Sequence, residues 1–223
     1  MNIQEYADRD MLAIDVANAL AGELEAALLH NETIALAVPG GTTPGPVFDV
    51  LCAADLAWDR VRVLPTDERC VPADHDRSNE RLIRDRLLIN RASVAEYIPL
   101  YVPVAEPEAA LAEIESLIAP VLPLSVLVLG MGEDMHTASL FPGMSGLQAA
   151  LDGRAPTLAV ARPQTQPEAR ITLTAPVLEG ALSKHLILYG DAKRDALERA
   201  LTLPPEDAPI AAVLSGTTVH WAE

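Results

Sequence analysis

The chain has 223 residues, and its 32 acidic side chains outnumber its 16 lysines and arginines, which gives a formal net charge of −16. A charge of this sign repels nucleic acid and anionic membranes, so we expect neither as a partner. Half of the residues are apolar, and the mean hydropathy of +0.19 excludes a disordered chain.

Helix and strand patterns alternate from the N-terminus onward. Apolar residues recur at every fourth position from residue 12 to residue 28, which predicts an amphipathic helix over residues 8–29. Residues 33–38 predict a buried strand, and Thr43 as N-cap with Pro44 at the first helical position predicts a helix that ends near Cys52. The remaining pattern predicts strands at 61–64, 125–129, 157–161, 170–173, 185–189 and 210–214, and helices at 78–88, 107–119, 175–181 and 191–201.

Buried strands that alternate with helices are typical of one fold class. We predict a single α/β domain over residues 1–223, Rossmann-like, with a mostly parallel sheet and helices on both faces. In such folds ligands bind beyond the carboxyl ends of the strands. The segments that directly follow predicted strands are therefore the candidate site segments: 39–44, 65–79, 130–143 and 190–193.

The first segment, PGGTTP, has the composition of a phosphate-binding loop. Gly40 and Gly41 let a ligand approach the backbone, and the helix that follows presents free N–H groups. Thr42 and Thr43 add hydroxyl donors. A plain structural turn explains this segment equally well, because it matches neither a dinucleotide-binding nor a nucleotide-phosphate motif.

The second segment, TDERCVPADHDRSN, concentrates charged side chains after a strand. Arg69 or Arg77 could hold a phosphate or a developing oxyanion. Asp67 could orient a base or a sugar hydroxyl. The alternative interpretation is a solvated cluster of surface ion pairs.

The third segment, LGMGEDMHTASLFPG, places a histidine on a glycine-rich loop beyond a buried strand. Histidine is the side chain best suited to moving protons near neutral pH, which favours a catalytic role for His136 over a structural one. Asp134, or Asp67 from the second segment, could fix the tautomer of its ring.

Two isolated cations follow later in the chain. Lys193, one of only two lysines, falls in the first turn of a predicted helix, where the helix dipole disfavours a cation. A bound anion would offset this cost. Arg170, at the start of the predicted strand RITLT, is a similar candidate, although a salt bridge explains it equally well.

Other classes of site and location find no support in the sequence. Cys52 and Cys70 match no metal motif, and no cluster of ligating residues occurs at metal-site spacing, so we expect neither a metal nor a cofactor. The polar, acidic N-terminus is unlike a signal peptide, and the most apolar stretch, 119–130, is short and contains two prolines. We expect a cytoplasmic protein, as a monomer or a small homo-oligomer.

Five motifs in order resemble those of the 6-phosphogluconolactonase family, which is grouped with glucosamine-6-phosphate deaminases: PGGTTP, WDRVRVLPTDERCVP…SN, LGMGEDMHTASLFPG, ARITLT and GDAKR. The resemblance covers nearly the whole chain. It implies metal-free hydrolysis of 6-phospho-D-glucono-1,5-lactone to 6-phosphogluconate, the second step of the oxidative pentose phosphate pathway. It also implies that His136 is the general base, that Arg69, Lys193 and the glycine-rich loop bind anions, and that Asp67 is the acidic residue after the second strand.

Two positions depart from the family pattern. Met135 stands where the family usually has glycine, which predicts either a strained backbone or a different loop. Pro39 replaces the usual serine of the phosphate loop, so Thr42 and Thr43 would carry more of the binding. The alternative functions are an amino-sugar-6-phosphate deaminase/isomerase and a non-catalytic sugar-phosphate sensor.

The candidate residues fall into two sets. The candidate catalytic residues are His136, Asp67 and Asp134. The candidate substrate- and phosphate-binding residues are Gly40, Gly41, Thr42, Thr43, Arg69, Arg77, Arg170 and Lys193.

Overall fold

A parallel sheet forms the centre of the molecule in a computed structural model, which describes residues 1–163 and 166–223. The strands are β1 (Asn2–Glu5), β2 (Ile34–Val38), β3 (Val61–Pro65), β4 (Asp67–Arg69), β5 (Glu96–Tyr97), β6 (Val126–Leu129), β7 (Leu158–Ala161), β8 (Arg170–Leu173), β9 (Ser183–Tyr189) and β10 (Thr218–Ala222). The helices are α1 (Arg9–Leu28), α2 (Gly45–Leu51), α3 (Asn79–Arg86), α4 (Leu111–Ile118), α5 (Leu147–Leu151), α6 (Ala175–Glu179) and α7 (Asp191–Ala200).

The predicted fold class is confirmed. Seven strands pair in the order β1-β10-β9-β6-β2-β3-β5, and every pairing in this sheet is parallel. Side chains of β2 alternate between two hydrophobic cores, with Leu36 in the core beneath α1 and α2 and Ala37 in the core on the other face. Both faces of the sheet are therefore covered by helices, as fully buried parallel strands require.

A second, antiparallel sheet lies beyond the carboxyl ends of the parallel strands and was not predicted. Its order is β4-β8-β7, and Asp67 of β4 pairs with Thr172 of β8. Only Thr66 separates β4 from β3, so the chain passes directly from the large sheet into the small one. The sequence suggested a charged loop here, because the three residues of β4 are all charged.

Two sequence predictions need correction, and strand β1 was not predicted. The predicted strand 210–214 is a short 3-10 helix, Pro209–Val213, and the true last strand is β10. A short apolar run after a proline does not distinguish a buried helical turn from a strand. Pro44, not Thr43, is the N-cap of α2, and no side chain caps that helix. Strand β1 was missed because all four of its residues are exposed at the sheet edge.

A buried chain of hydrogen bonds links the N- and C-terminal parts of the sheet. Nδ1 of His185 lies 3.0 Å from Nε2 of His220, whose Nδ1 lies 2.8 Å from the Tyr6 hydroxyl. Nε2 of His185 lies 2.8 Å from a carboxylate oxygen of Glu23 on α1. His220 is only 2 % exposed.

The free energy of unfolding is expected to fall as the pH drops from about 6.5 to about 4. Burial, followed by the neighbouring His185, lowers the pKa of His220 to about 4, whereas an unfolded histidine titrates near about 6.5. Since the unfolded chain then binds the proton first, acidification removes up to about 3 kcal/mol of stability. Urea unfolding at several pH values should show a weaker pH dependence in His220→Gln. The exposed His30→Gln should behave like the wild type, and parallel curves for His220→Gln and wild type would contradict the assignment.

Candidate active site

Two adjoining pockets open beyond the carboxyl ends of β2 and β6. Gly40, Gly41, Gly130 and His136 line both of them. The arginine pocket encloses about 130 Å³ and adds Pro39, Asp67, Arg69, Asn79, Ala138 and Arg170. The lysine pocket encloses about 270 Å³ and adds Thr42, Thr43, Pro44, Leu129, Met131, Gly132, Ile187 and Lys193. The two pockets thus bring together most of the predicted site residues.

Two arginines face each other in the arginine pocket. Arg69 and Arg170 are directly paired across β4 and β8, and like charges in such a position repel one another. The buried Nε atoms of both arginines have no hydrogen-bond partner among residues 1–163 and 166–223. Burial lowers the pKa of Arg170, with a further contribution from the charge of Arg69. A bound anion in this pocket would relieve the repulsion between the two guanidinium groups.

Asp67 lies in the same pocket and is almost completely buried. Its carboxylate accepts hydrogen bonds from the Ser139 hydroxyl and, at 3.4 Å, from Nη1 of Arg170. The Thr66 hydroxyl donates to its other oxygen at 3.3 Å. Asp67 therefore belongs to a hydrogen-bonded group with Arg170, and it is Asp134 that contacts the ring of His136.

His136 lies where the two pockets meet. Its Nδ1 is 2.5 Å from a carboxylate oxygen of Asp134, and this hydrogen bond lowers the pKa of that carboxyl group. The ring also packs on Phe141, with 4.4 Å between centroids. A carboxylate at Nδ1 favours the tautomer with its proton there, which leaves Nε2 as a proton acceptor. A side chain at Gly132 would collide with this pair, because a Cβ would lie 2.3 Å from Nδ1.

The histidine loop keeps a left-handed backbone without the family's usual glycine. Met135 has φ = 66° and Ala138 has φ = 48°. Such a conformation costs roughly 1–2 kcal/mol for a residue with a side chain. The loop compensates through hydrogen bonds at both peptide groups of Met135: its N–H donates to the Gly132 carbonyl at 2.9 Å, and its carbonyl accepts from the Ile210 N–H at 3.1 Å. Of the two outcomes expected for Met135, the strained backbone is the one observed.

The lysine pocket holds a half-buried cation beside hydroxyl groups. Nζ of Lys193 lies 3.5 Å from the hydroxyl of Thr43, and Thr42 is exposed beside it. Gly41 has φ = 82°, and a Cβ there would face open space. Burial lowers the pKa of Lys193, against a weaker opposing effect of Glu133. An anion in this pocket would stabilise the ammonium form.

Gly40 serves a purpose that the sequence did not indicate. A Cβ at Gly40 would lie 2.0 Å from Oδ1 of Asn79, so the glycine leaves room for that side chain.

The Asn79 amide accepts a hydrogen bond from Nη1 of Arg69 at 2.9 Å and donates one to the Asp67 carbonyl at 2.7 Å. The carboxylate of Glu68 accepts from the backbone N–H of Asn79 at 2.9 Å and so fixes the start of α3. Sequence reasoning missed Asn79, Glu68 and Ser139 as site-building residues.

Arg77 is the candidate binding residue that the structure does not bring into the site. It lines neither pocket, and its Nη2 lies 2.9 Å from a carboxylate oxygen of Glu168. Its backbone carbonyl does accept a hydrogen bond from Nη1 of Arg69 at 2.6 Å. Arg77 therefore contributes to the site by orienting the side chain of Arg69.

Gly40→Ala is expected to destabilise the protein by about 1–3 kcal/mol, because the new methyl group displaces Asn79. In an Asn79→Ala background the same change should cost less than about 0.5 kcal/mol. Urea unfolding of the four proteins measures this coupling. Gly41→Ala is the matched control, since its cost arises from the left-handed backbone and should be the same in both backgrounds. Additive costs for Gly40→Ala and Asn79→Ala would contradict the proposed contact.

A comparison with known families agrees with this geometry. Residues 7–221 match the family described as "Glucosamine-6-phosphate isomerases/6-phosphogluconolactonase". The chain belongs to this family. The resemblance of the five sequence motifs is thereby confirmed over almost the entire length.

Individual relatives from bacteria extend the comparison. A 6-phosphogluconolactonase of Rhizobium meliloti is 37 % identical over 99 % of this chain and 98 % of its own length. One of Pseudomonas aeruginosa is 38 % identical over 99 % of this chain and 94 % of its own length. A crystal structure of a 6-phosphogluconolactonase from Shewanella baltica superposes with a TM-score of 0.96 at 33 % identity and covers 100 % of this chain and 98 % of that one.

Metal-binding groups and membrane-spanning helices are both absent from the part of the chain that the structure describes. Within residues 1–163 and 166–223, histidine, cysteine and carboxylate side chains form no group of three or more that could hold a metal ion. In the same part of the chain, no helix has both the length and the apolar character needed to cross a membrane.

Proposed function

We propose that this protein hydrolyses 6-phospho-D-glucono-1,5-lactone to 6-phospho-D-gluconate, the second step of the oxidative pentose phosphate pathway. The observation that carries this proposal is the position of the His136–Asp134 pair, at the junction of one pocket with a lysine and one with two arginines. A substrate with a phosphate at one end and a reacting carbonyl at the other suits this arrangement. Three relatives named 6-phosphogluconolactonase support the same substrate.

The phosphate is assigned to the lysine pocket. Lys193 supplies a positive charge, and the Thr42 and Thr43 hydroxyls supply donors on the same side. The open side of Gly41 leaves its backbone accessible to a ligand. Binding at the remote phosphate would hold the lactone ring in place beside His136.

His136 acts as the general base. Its Nε2 removes a proton from a water molecule as the oxygen of that water bonds to C1 of the lactone. Nδ1 keeps its proton in the hydrogen bond to the Asp134 carboxylate, which stabilises the resulting imidazolium. The electrons of the C=O double bond move onto the carbonyl oxygen. The negative charge on this oxygen is stabilised by the guanidinium of Arg69 or Arg170, or by a backbone N–H of the 130–132 loop. When the carbonyl re-forms, the bond from C1 to the ring oxygen breaks, and the imidazolium returns its proton to that oxygen.

Asp67 orients the sugar ring. Its carboxylate faces the arginine pocket and is held in place by Ser139 and Arg170, so it can accept a hydrogen bond from a sugar hydroxyl. A carboxylate in this role removes alternative orientations of the ring and favours the one in which C1 faces His136.

Three substrates test the proposal with the same preparation of protein. Freshly generated 6-phosphogluconolactone should be hydrolysed well above its spontaneous rate. Unphosphorylated glucono-1,5-lactone is the matched control and should be a far poorer substrate, because it makes no contact with the lysine pocket. Ammonia release from glucosamine 6-phosphate would instead assign the deaminase activity, and binding of 6-phosphogluconate without turnover of either substrate would assign a sensor.

The whole chain is proposed to act as one domain. Strand β1 at the N-terminal end pairs with β10 at the C-terminal end, so the two ends contribute neighbouring strands of one sheet. The proposed location is the cytoplasm, because the relatives named 6-phosphogluconolactonase are metabolic enzymes.

A further inference from the structure

Ser139 lies at the contact between the histidine loop and the small sheet. The residue is fully buried. Its backbone N–H donates to Oγ1 of Thr172 at 3.1 Å, its hydroxyl donates to the carboxylate of Asp67, and the same hydroxyl accepts from Nη1 of Arg170 at 3.3 Å. One side chain therefore bridges the carboxylate and the guanidinium that face the arginine pocket.

The direct contact between Asp67 and Arg170 is weak. Nη1 of Arg170 is 3.4 Å from the carboxylate oxygen, whereas a charge-assisted hydrogen bond is typically about 2.7–2.9 Å long. The guanidinium also lies over the ring of Phe141, with 5.3 Å from its carbon to the centroid, and its Nη2 donates a hydrogen bond to Oε1 of Gln166. The Ser139 hydroxyl supports this long direct contact from a second side, through a short hydrogen bond to Asp67 and a 3.3 Å contact with Nη1 of Arg170.

Ser139 is also rigidly connected to His136. Ser139 lies in a tight turn that directly follows His136, in which Thr137 and Leu140 form an isolated bridge and Ala138 has a left-handed backbone. The Thr137 hydroxyl donates to the Gly130 carbonyl at 3.0 Å and anchors the turn to the end of β6. A shift of Ser139 relative to the small sheet would therefore change the distance from His136 to Asp67 and Arg170.

We propose that Ser139 is a positioning residue whose hydroxyl fixes Asp67 and Arg170 relative to His136. This inference rests on the proposed hydrolysis of the phosphorylated lactone. The hydroxyl is not a nucleophile, because it is fully buried and its O–H donates a hydrogen bond to a carboxylate. Within the described residues, no histidine forms a hydrogen bond with it. Its role is to keep the ring-orienting carboxylate and one candidate oxyanion donor at the correct distance from the base.

The test compares Ser139→Ala and Ser139→Cys with Thr172→Val. Alanine removes the hydroxyl, and cysteine keeps a side chain of similar size with a much weaker donor. Both variants should lower kcat by about tenfold or more, since small displacements at a reacting centre are costly, while KM changes by less than about threefold because the phosphate contacts remain. Thr172→Val removes the acceptor of the Ser139 N–H and should lower the melting temperature while kcat falls by less than about threefold.

Three results would overturn the proposal. An unchanged kcat in a folded Ser139→Ala or Ser139→Cys protein is the first. Equal losses of kcat in the Ser139 and Thr172 variants are the second, because anchoring of the loop would then explain both. The third is a crystal structure of a folded Ser139 variant in which Asp67 and Arg170 keep their positions. This structural measurement needs no turnover, so it decides the role of Ser139 even if the wild type fails to hydrolyse the lactone and the proposed function is wrong.

Discussion

His136→Asn is expected to lower kcat for 6-phosphogluconolactone hydrolysis by about 10²–10⁴-fold, the usual contribution of a positioned acid–base group. Asparagine can still donate a hydrogen bond to Asp134, and the position is part of an irregular, partly exposed loop, so the variant should remain folded. It should also bind 6-phosphogluconate, because the proposed phosphate contacts lie in the lysine pocket. Steady-state kinetics and calorimetric titration with 6-phosphogluconate measure the two effects separately.

The controls for this variant address the pH dependence of the assay and the loss of a histidine side chain. Spontaneous lactone hydrolysis grows with alkalinity and must be subtracted at each pH. The substrate phosphate titrates near about pH 6, so a fall in wild-type activity on the acid side is not by itself diagnostic. The comparison of His136→Asn with the wild type at the same pH resolves this ambiguity, because the substrate phosphate is in the same state in both assays. His30→Asn, at an exposed position outside both pockets, is the matched control. A folded His136→Asn protein with near-normal kcat would make His136 structural and direct attention to Asp67.

The sequence predicted the large sheet well because its central strands are continuous apolar runs. Ile34–Val38 and Val126–Leu129 are buried on both faces in the structure, as their composition requires. The site segments followed from the same pattern, since loops after parallel strands meet at one edge of the sheet. The histidine loop and the PGGTTP loop were found in this way and line the same two pockets.

The arginine pocket could not be predicted to the same extent, because its contacts join distant parts of the chain. Asp67 and Arg170 are 103 positions apart, and only the unpredicted antiparallel sheet brings them together. The charges of β4 suggested solvent exposure, whereas Asp67 and Glu68 are both buried. Arg77 shows the converse. Its positive charge suggested a ligand-binding residue, but in the structure this charge is paired with Glu168.

Lys193→Ala is expected to raise KM for the phosphorylated lactone at least about tenfold, because a hydrogen bond to a charged group contributes about 1.5–3 kcal/mol. The effect on kcat should be much smaller, since the lysine is assigned to the phosphate and not to the reacting carbonyl. For unphosphorylated glucono-1,5-lactone the same variant should show no change in KM. Arg91→Ala removes an equal charge at an exposed position paired with Asp55 and serves as the control for long-range electrostatics.

The outcome of this experiment also decides between the two pockets. If the phosphate occupies the lysine pocket, Lys193→Ala weakens binding of 6-phosphogluconate and leaves the arginine pocket free to stabilise the charge that develops at C1. An unchanged KM would contradict this assignment. The guanidinium groups of Arg69 and Arg170, which line the arginine pocket, would then be the alternative phosphate ligands, and stabilisation of the oxyanion would fall to backbone N–H groups of the 130–132 loop.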